Sequence, residues 1–205
     1  MQKTIVSLIS LALILSQPVF AVPPSDSSWE LEKEKDDITV YLRQTELSPI
    51  KEFYGYTTLS TTTEELLSLY MDAEACSQWV PTCALSFLVD QPSANEFTLY
   101  QQLKTPWPLK NRDYLFTNHV TTYPDTGEVV IVFSDIPDSS QYDGCCTRAV
   151  RYQGQWRFIP NGNEQVTVIY QNSFDPGGFP AAVVNSAIVD MPIDTLVNMR
   201  RLLEQ

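Results

Sequence analysis

The sequence predicts an α+β domain: one curved antiparallel sheet packed against a long apolar helix at the C-terminal end. Two observations carry this. Between residues 85 and 174, short β-branched and aromatic runs follow one another with turn-forming separators and no helical pattern between them. Consecutive strands joined by tight turns make an antiparallel meander, because parallel pairs need long crossovers. From Gly178 onward, Val183, Val184, Ala187, Ile188, Met191, Leu196, Met199, Leu202 and Leu203 form a wide stripe with a period near 3.6. A twisted sheet around one helix either packs solid or encloses a pocket, and this order of elements suits both.

The elements follow in order. Residues 1–21 hold one lysine, an apolar stretch of about a dozen residues and then Val19-Phe20-Ala21, the pattern of a cleaved export signal. The stretch is too short for a bilayer span of about 20 residues. A secreted or periplasmic location is therefore expected. Residues 22–28 are rich in Pro and Ser and read as a flexible segment ahead of one domain over 29–205. Ser28 precedes a charged run that reads as a short capped helix. Residues 38–43 and 51–59 alternate as strands. Residues 61–72 combine hydroxyl and Glu in a capping-box pattern, then place Leu66, Leu67, Tyr70 and Met71 at helical spacing. Another turn is expected from Asp72 to Trp79, stopped by Pro81. Strands are then predicted at 85–89, 96–103, 113–122, 129–134, 147–152, 155–159 and 165–174. Pro192 is expected to kink or split the final helix.

Charge and cysteines narrow the function. The formal net charge is −12, and loss of the signal removes Lys3 and no acid. Such a chain repels nucleic-acid phosphates and anionic surfaces, which bind through clustered Lys and Arg. No nucleic-acid partner is expected, and a lipid would be held by burial. Cys76, Cys83, Cys145 and Cys146 allow three pairings, and one disulfide or none is the expectation. His119 is the single histidine, without a metal-ligand constellation or a Gly-x-Ser-x-Gly elbow beside it. No cofactor, metal or catalytic group is expected.

Three stretches, "WELEKEKDDITVYLRQ", "PWPLKNRDYLF" and "NSFDPGGFPAAVVNSAIVDMPIDTLVNMR", resemble the successive signatures of the START domain, the lipid-transfer module related to the steroidogenic acute regulatory protein. The resemblance spans about residues 29–203. It implies a helix-grip fold whose sheet and C-terminal helix enclose a tunnel for one lipid or sterol, entered by movement of a loop against that helix. A monomer that touches membranes transiently is expected. The alternative is a helix-grip enzyme of the aromatase or cyclase type. Along the strand that opens at Arg112, Arg112, Tyr114, Phe116, Asn118 and Val120 share one face, and Asp113, Leu115, Thr117 and His119 the other. Only one of the charged pair can face inward. The arginine side is the more aromatic, so Arg112 is expected in the tunnel as a polar contact for the ligand, with Tyr114 and Phe116. Asp113 remains the other candidate, and a structural ion pair at the sheet edge is the bland alternative. Asp175-Pro-Gly-Gly reads as the turn into the closing helix, and the loop around Trp107 as an anchor for strand entry.

Overall fold

The computed structural model describes residues 22–46, 48–136 and 145–204, so the expected signal sequence lies outside the described residues. Alternation builds the sheet. In β2 (Ile38–Thr45), Ile38, Val40 and Leu42 are buried while the residues between them are half-exposed, as a two-residue side-chain period requires. The other strands are β1 (Glu30–Lys35), β3 (Ser48–Ser60), β4 (Cys83–Ser93), β5 (Glu96–Leu103), β6 (Arg112–Tyr123), β7 (Glu128–Asp135), β8 (Thr147–Arg148), β9 (Val150–Gly162) and β10 (Gln165–Asp175). All ten form one sheet in the order β1-β2-β3-β10-β9-β7-β6-β5-β4, with β8 beside β6. The pairs are antiparallel except β6 with β8.

Two helices carry the chain from β3 to the far edge of the sheet. In α1 (Thr63–Met71), the Thr62 side chain accepts from Glu65 N–H and the Glu65 carboxylate accepts from Thr62 N–H, completing the expected capping box. Leu66 and Tyr70 turn inward from it. A single 3-10 turn, Ala73–Ala75, then leads into α2 (Cys76–Trp79). From β4 the sheet meanders back through β5, β6, β7 and β9 until β10 joins β3.

The C-terminal stripe forms two helices, α3 (Ala181–Ala187) and α4 (Asp190–Leu203). The break falls at Ile188-Val189, ahead of Pro192. Proline removes no intrahelical bond in a first turn, where N–H groups lack intrahelical partners anyway. Ile193, Leu196 and Met199 are fully buried from α4, each stabilising by about 1.5–3 kcal/mol. The helix approaches β3 at Gly55, where a Cβ would sit 2.9 Å from Pro192 Cβ. A side chain at that position would hold the helix off.

Three expectations are corrected. Residues 30–35 form an edge strand, not a helix: Glu-Leu-Glu-Lys-Glu-Lys pairs with β2 on one side and puts its charges in water, a common device on exposed edges. The strands predicted at 147–152 and 155–159 imply a turn at Gln153-Gly154, but β9 runs straight through it. Gly154 lies opposite Asn172, and a Cβ there would come within 2.1 Å of the Gln171 carbonyl oxygen, so the glycine marks close backbone approach. Both cysteine pairs are bonded, Cys76 to Cys83 and Cys145 to its neighbour Cys146. Adjacent cysteines point apart on a strand, but Cys145 and Cys146 lie in a bend before β8.

The outer face carries a smaller cluster of Tyr54, Tyr56 and Ile169, with Trp29 and Tyr41 against it. Residues 22–28 lie across this face: the Tyr54 hydroxyl donates to the Val22 carbonyl, and the Arg43 guanidinium to Asp26.

Candidate ligand cavity

Between the inner face of the sheet and the helices lies a cavity of about 230 Å³. Each wall comes from a strand whose alternation points one set of side chains inward. β5 supplies Leu99 and Gln101, β6 supplies Tyr114 and Phe116, β9 supplies Tyr152 and Trp156, and β10 supplies Tyr170, Asn172 and Phe174. Tyr70 of α1, Trp79 of α2 and Thr195 of α4 close it from the helical side. The rings pack on one another: Trp156 stacks on Tyr170 at 3.9 Å between centroids, and Trp79 meets Trp156 edge-on at 5.9 Å. Val80, Pro81 and Thr82 form one rim, and Asp190, Met191 and Asp194 of α4 also line the space. The Cys76–Cys83 disulfide ties the ends of the first rim together.

The polar groups of the wall are mostly engaged. The Tyr70 hydroxyl donates to Asn118 Oδ1 at 2.7 Å, and Asn118 Nδ2 donates to the Phe97 carbonyl. Asn172 Nδ2 donates to the Tyr170 hydroxyl oxygen at 3.0 Å. Burial pushes the tyrosine hydroxyls up from their ordinary range; Tyr170 reaches about 12, its bonds from Asn172 and Tyr152 pulling the other way. Tyr70, Tyr114 and Tyr152 move in the same direction, again chiefly through burial. These groups are neutral at physiological pH. Two buried atoms of lining residues, Trp79 Nε1 and Asn172 Oδ1, have no hydrogen-bond partner among the described residues.

The structure separates the four residues singled out in the sequence. Tyr114 and Phe116 line the cavity. Arg112 lies outside the lining. It is 5% exposed, yet its guanidinium is spent on carbonyls: Nε donates to Pro176 at 2.6 Å, Nη2 to Gly177 at 2.7 Å, and Nη1 to Lys110. The group lies 4.3 Å from the Phe179 ring centroid. Arg112 therefore clasps the Asp175-Pro-Gly-Gly turn to the start of β6, and among the described residues it lacks the carboxylate partner of the bland alternative. That turn is built as its composition requires, with Asp175 accepting from Gly177 N–H and both glycines at positive φ. Asp113 faces the other way and is paired with Arg148 at 2.9 Å. Both charges sit where a strand end can satisfy them, which face composition does not reveal. His119 is exposed.

Trp107 is not the anchor its neighbours suggest. It is 92% exposed, at the tip of the loop between β5 and β6, and its peptide bond to Pro108 is cis.

The family model for the START domain matches residues 24–205. The chain belongs to the START-domain family. A STAR-related lipid transfer protein from Xanthomonas axonopodis superposes with a TM-score of 0.80 at 32% identity, over 87% of this chain and 99% of that one. Human STARD10, at 18% identity and a TM-score of 0.76 over 86% of this chain and 73% of its own, shares the fold. An uncharacterised protein of Pseudomonas aeruginosa is 30% identical over 94% of this START chain and 96% of its own length. Human ceramide transfer protein is 25% identical, but the match spans only 29% of that longer protein.

The sequence reading missed Tyr70, Gln101, Tyr152, Trp156, Tyr170 and Asn172. A signal was present for two of them: Gln101 between Leu99 and Leu103, and Asn172 between Tyr170 and Phe174, are amides on otherwise apolar inner faces. A buried amide among apolar neighbours costs free energy unless it is bonded, so its presence there marks a polar site.

Proposed function

We propose that the protein binds one lipid or similar hydrophobic molecule in this cavity and carries it between membranes. The observation that carries the reading is an aromatic-walled space in a START fold that holds unmatched hydrogen-bonding atoms in its lining. The names of the relatives, ceramide transfer protein and STAR-related lipid transfer protein, support it. The role is binding without catalysis. At about 230 Å³ the cavity is smaller than the 300 Å³ or so at which ligand pockets commonly begin. A bulky lipid therefore enters with movement of a wall. The α3–α4 segment is the wall that moves, because no residue of α3 is fully buried, whereas the opposite rim is stapled by a disulfide.

Membrane contact is assigned to the β5–β6 loop. Trp107 stands in solvent with Leu109 exposed beside it, and Lys104 and Lys110 flank them with no acid in between. In so acidic a chain, that local excess of cations suits an anionic bilayer, and an exposed tryptophan suits its interface. The protein acts outside the cytoplasm, a reading supported by the export-type N-terminus and two disulfides.

Thermal shift against single-chain lipids, ceramide and phosphatidylcholine tests the binding. At least one ligand is expected to raise Tm with saturation at one per chain, and Met191→Trp, at the cavity edge, to abolish the shift. No shift across the panel would refute the reading, and turnover of a ligand would replace it with an enzymatic one. Sedimentation with anionic vesicles tests the loop: Trp107→Ala is expected to cut vesicle binding several-fold with Tm unchanged. Unchanged binding removes the loop from the account.

A further inference from the structure

We propose that the β10 wall of the cavity reads a hydroxyl or amide group on the ligand, and that anionic amphiphiles are rejected. The proposal rests on the lipid-binding reading and narrows it to an uncharged polar end.

Hydrogen-bond bookkeeping carries it. Tyr170 and Asn172 sit two residues apart on the inner face of β10, and Asn172 Nδ2 donates to the Tyr170 oxygen. That bond uses the Tyr170 oxygen as an acceptor, and its own proton meets no acceptor among the described residues. The Tyr152 hydroxyl, from the neighbouring strand β9, lines the cavity beside it. The Tyr170 proton is left to give. Asn172 Oδ1, on a residue 1% exposed, has no partner among the described residues and is left to accept. A buried donor and a buried acceptor thus lie on neighbouring side chains.

A hydroxyl or secondary amide satisfies both, because each of them donates and accepts. An ether or ester oxygen only accepts, and leaves Asn172 unmatched. A carboxylate also only accepts, and sets its charge against the Asn172 carbonyl dipole. No Lys, Arg or His among the described residues lines the cavity, while Asp72, Asp190 and Asp194 do. An anion would lose its hydration there without gaining a countercharge. Arg112, the buried cation in β6, is held by three carbonyls outside the lining. Trp79, another lining residue, has a buried Nε1 donor with no partner among the described residues.

Calorimetric titration of the full chain with decanol, decyl methyl ether and decanoate tests the proposal, since the three share one chain and differ in the end group. Decanol is expected to bind about tenfold or more tightly than either of the others, the penalty that unmatched buried polar groups impose. In Asn172→Leu the preference of alcohol over ether is expected to fall to within about twofold. Tyr170→Phe, which keeps the ring stacked on Trp156, gives an independent variant with the same expectation. Equal binding of all three ligands, tighter binding of decanoate, or an alcohol preference that survives both substitutions would overturn the head-group reading and leave lipid binding standing. Binding of none of the three would count against both.

Discussion

Arg112 shows how backbone carbonyls can satisfy a buried cation. Three carbonyl oxygens from two separate segments accept from one guanidinium, so the side chain ties the strand start to the turn that launches the C-terminal helices. Its removal leaves the buried Pro176 carbonyl unmatched, together with the part-buried acceptors at Lys110 and Gly177. Arg112→Leu is therefore expected to cost about 2–4 kcal/mol of stability, at about 1–3 kcal/mol per buried group left unmatched, while leaving ligand preference intact. Urea unfolding measures the first and the titration series the second; a variant of full stability with altered preference would return Arg112 to the binding site. The tyrosines make a second prediction at this scale. Their folded-state pKa values lie above the unfolded value near 10, with Tyr54 and Tyr170 each at about 12. A raised value means the folded state holds its proton longer, so stability is fully present below pH 10 and is lost as pH rises toward 12 and beyond. Urea midpoints from these groups should be flat from neutrality to about pH 9.5 and fall above it. Tyrosine ionisation complete near pH 10 in a chain that is still folded would contradict this.

Helix and sheet are fitted to each other at Gly55, where Pro192 and Leu196 of α4 rest against β3. Gly55→Ala is expected to destabilise by about 1–3 kcal/mol, the usual cost of overpacking, and to push α4 outward; an unchanged denaturation midpoint would show that the helix is not seated there. At this scale the sequence was most legible where period and burial agree. The β5, β6, β7 and β10 runs and the α1 capping box lie in the structure within a residue or two of where alternation puts them. It was least legible where one residue type serves two purposes. Charged residues 30–35 suit a helix surface as well as a sheet edge. Gly154 suits a turn as well as a tight strand crossing. Arg112 and Asp113 alternate like any strand residues, and only the tertiary position of the Asp175-Pro-Gly-Gly turn and of Arg148 decides what each meets. The cavity was legible as a fold-level implication, while its polar wall was not, because Tyr170, Asn172 and Tyr152 come together across two strands.

The proposed ligand entry divides the whole molecule into a firm part and a part that yields. The sheet, α1 and the disulfide-closed rim enclose the cavity from three sides. The fourth side is α4, joined through a break at Ile188-Val189 to α3, none of whose residues is fully buried. The exposed Trp107 loop is clasped to that same segment through Arg112, since Lys110 and Gly177 share its guanidinium. Contact of the loop with a bilayer would then be felt by the segment that has to move for a ligand to pass. The central claim is that the cavity holds one lipid. Native mass spectrometry of the full chain, purified from its own host without detergent, tests it most directly: a single bound lipid per chain, displaced by Met191→Trp, is the expected result. Protein that carries no adduct from its host and takes none up from lipid vesicles would contradict the account.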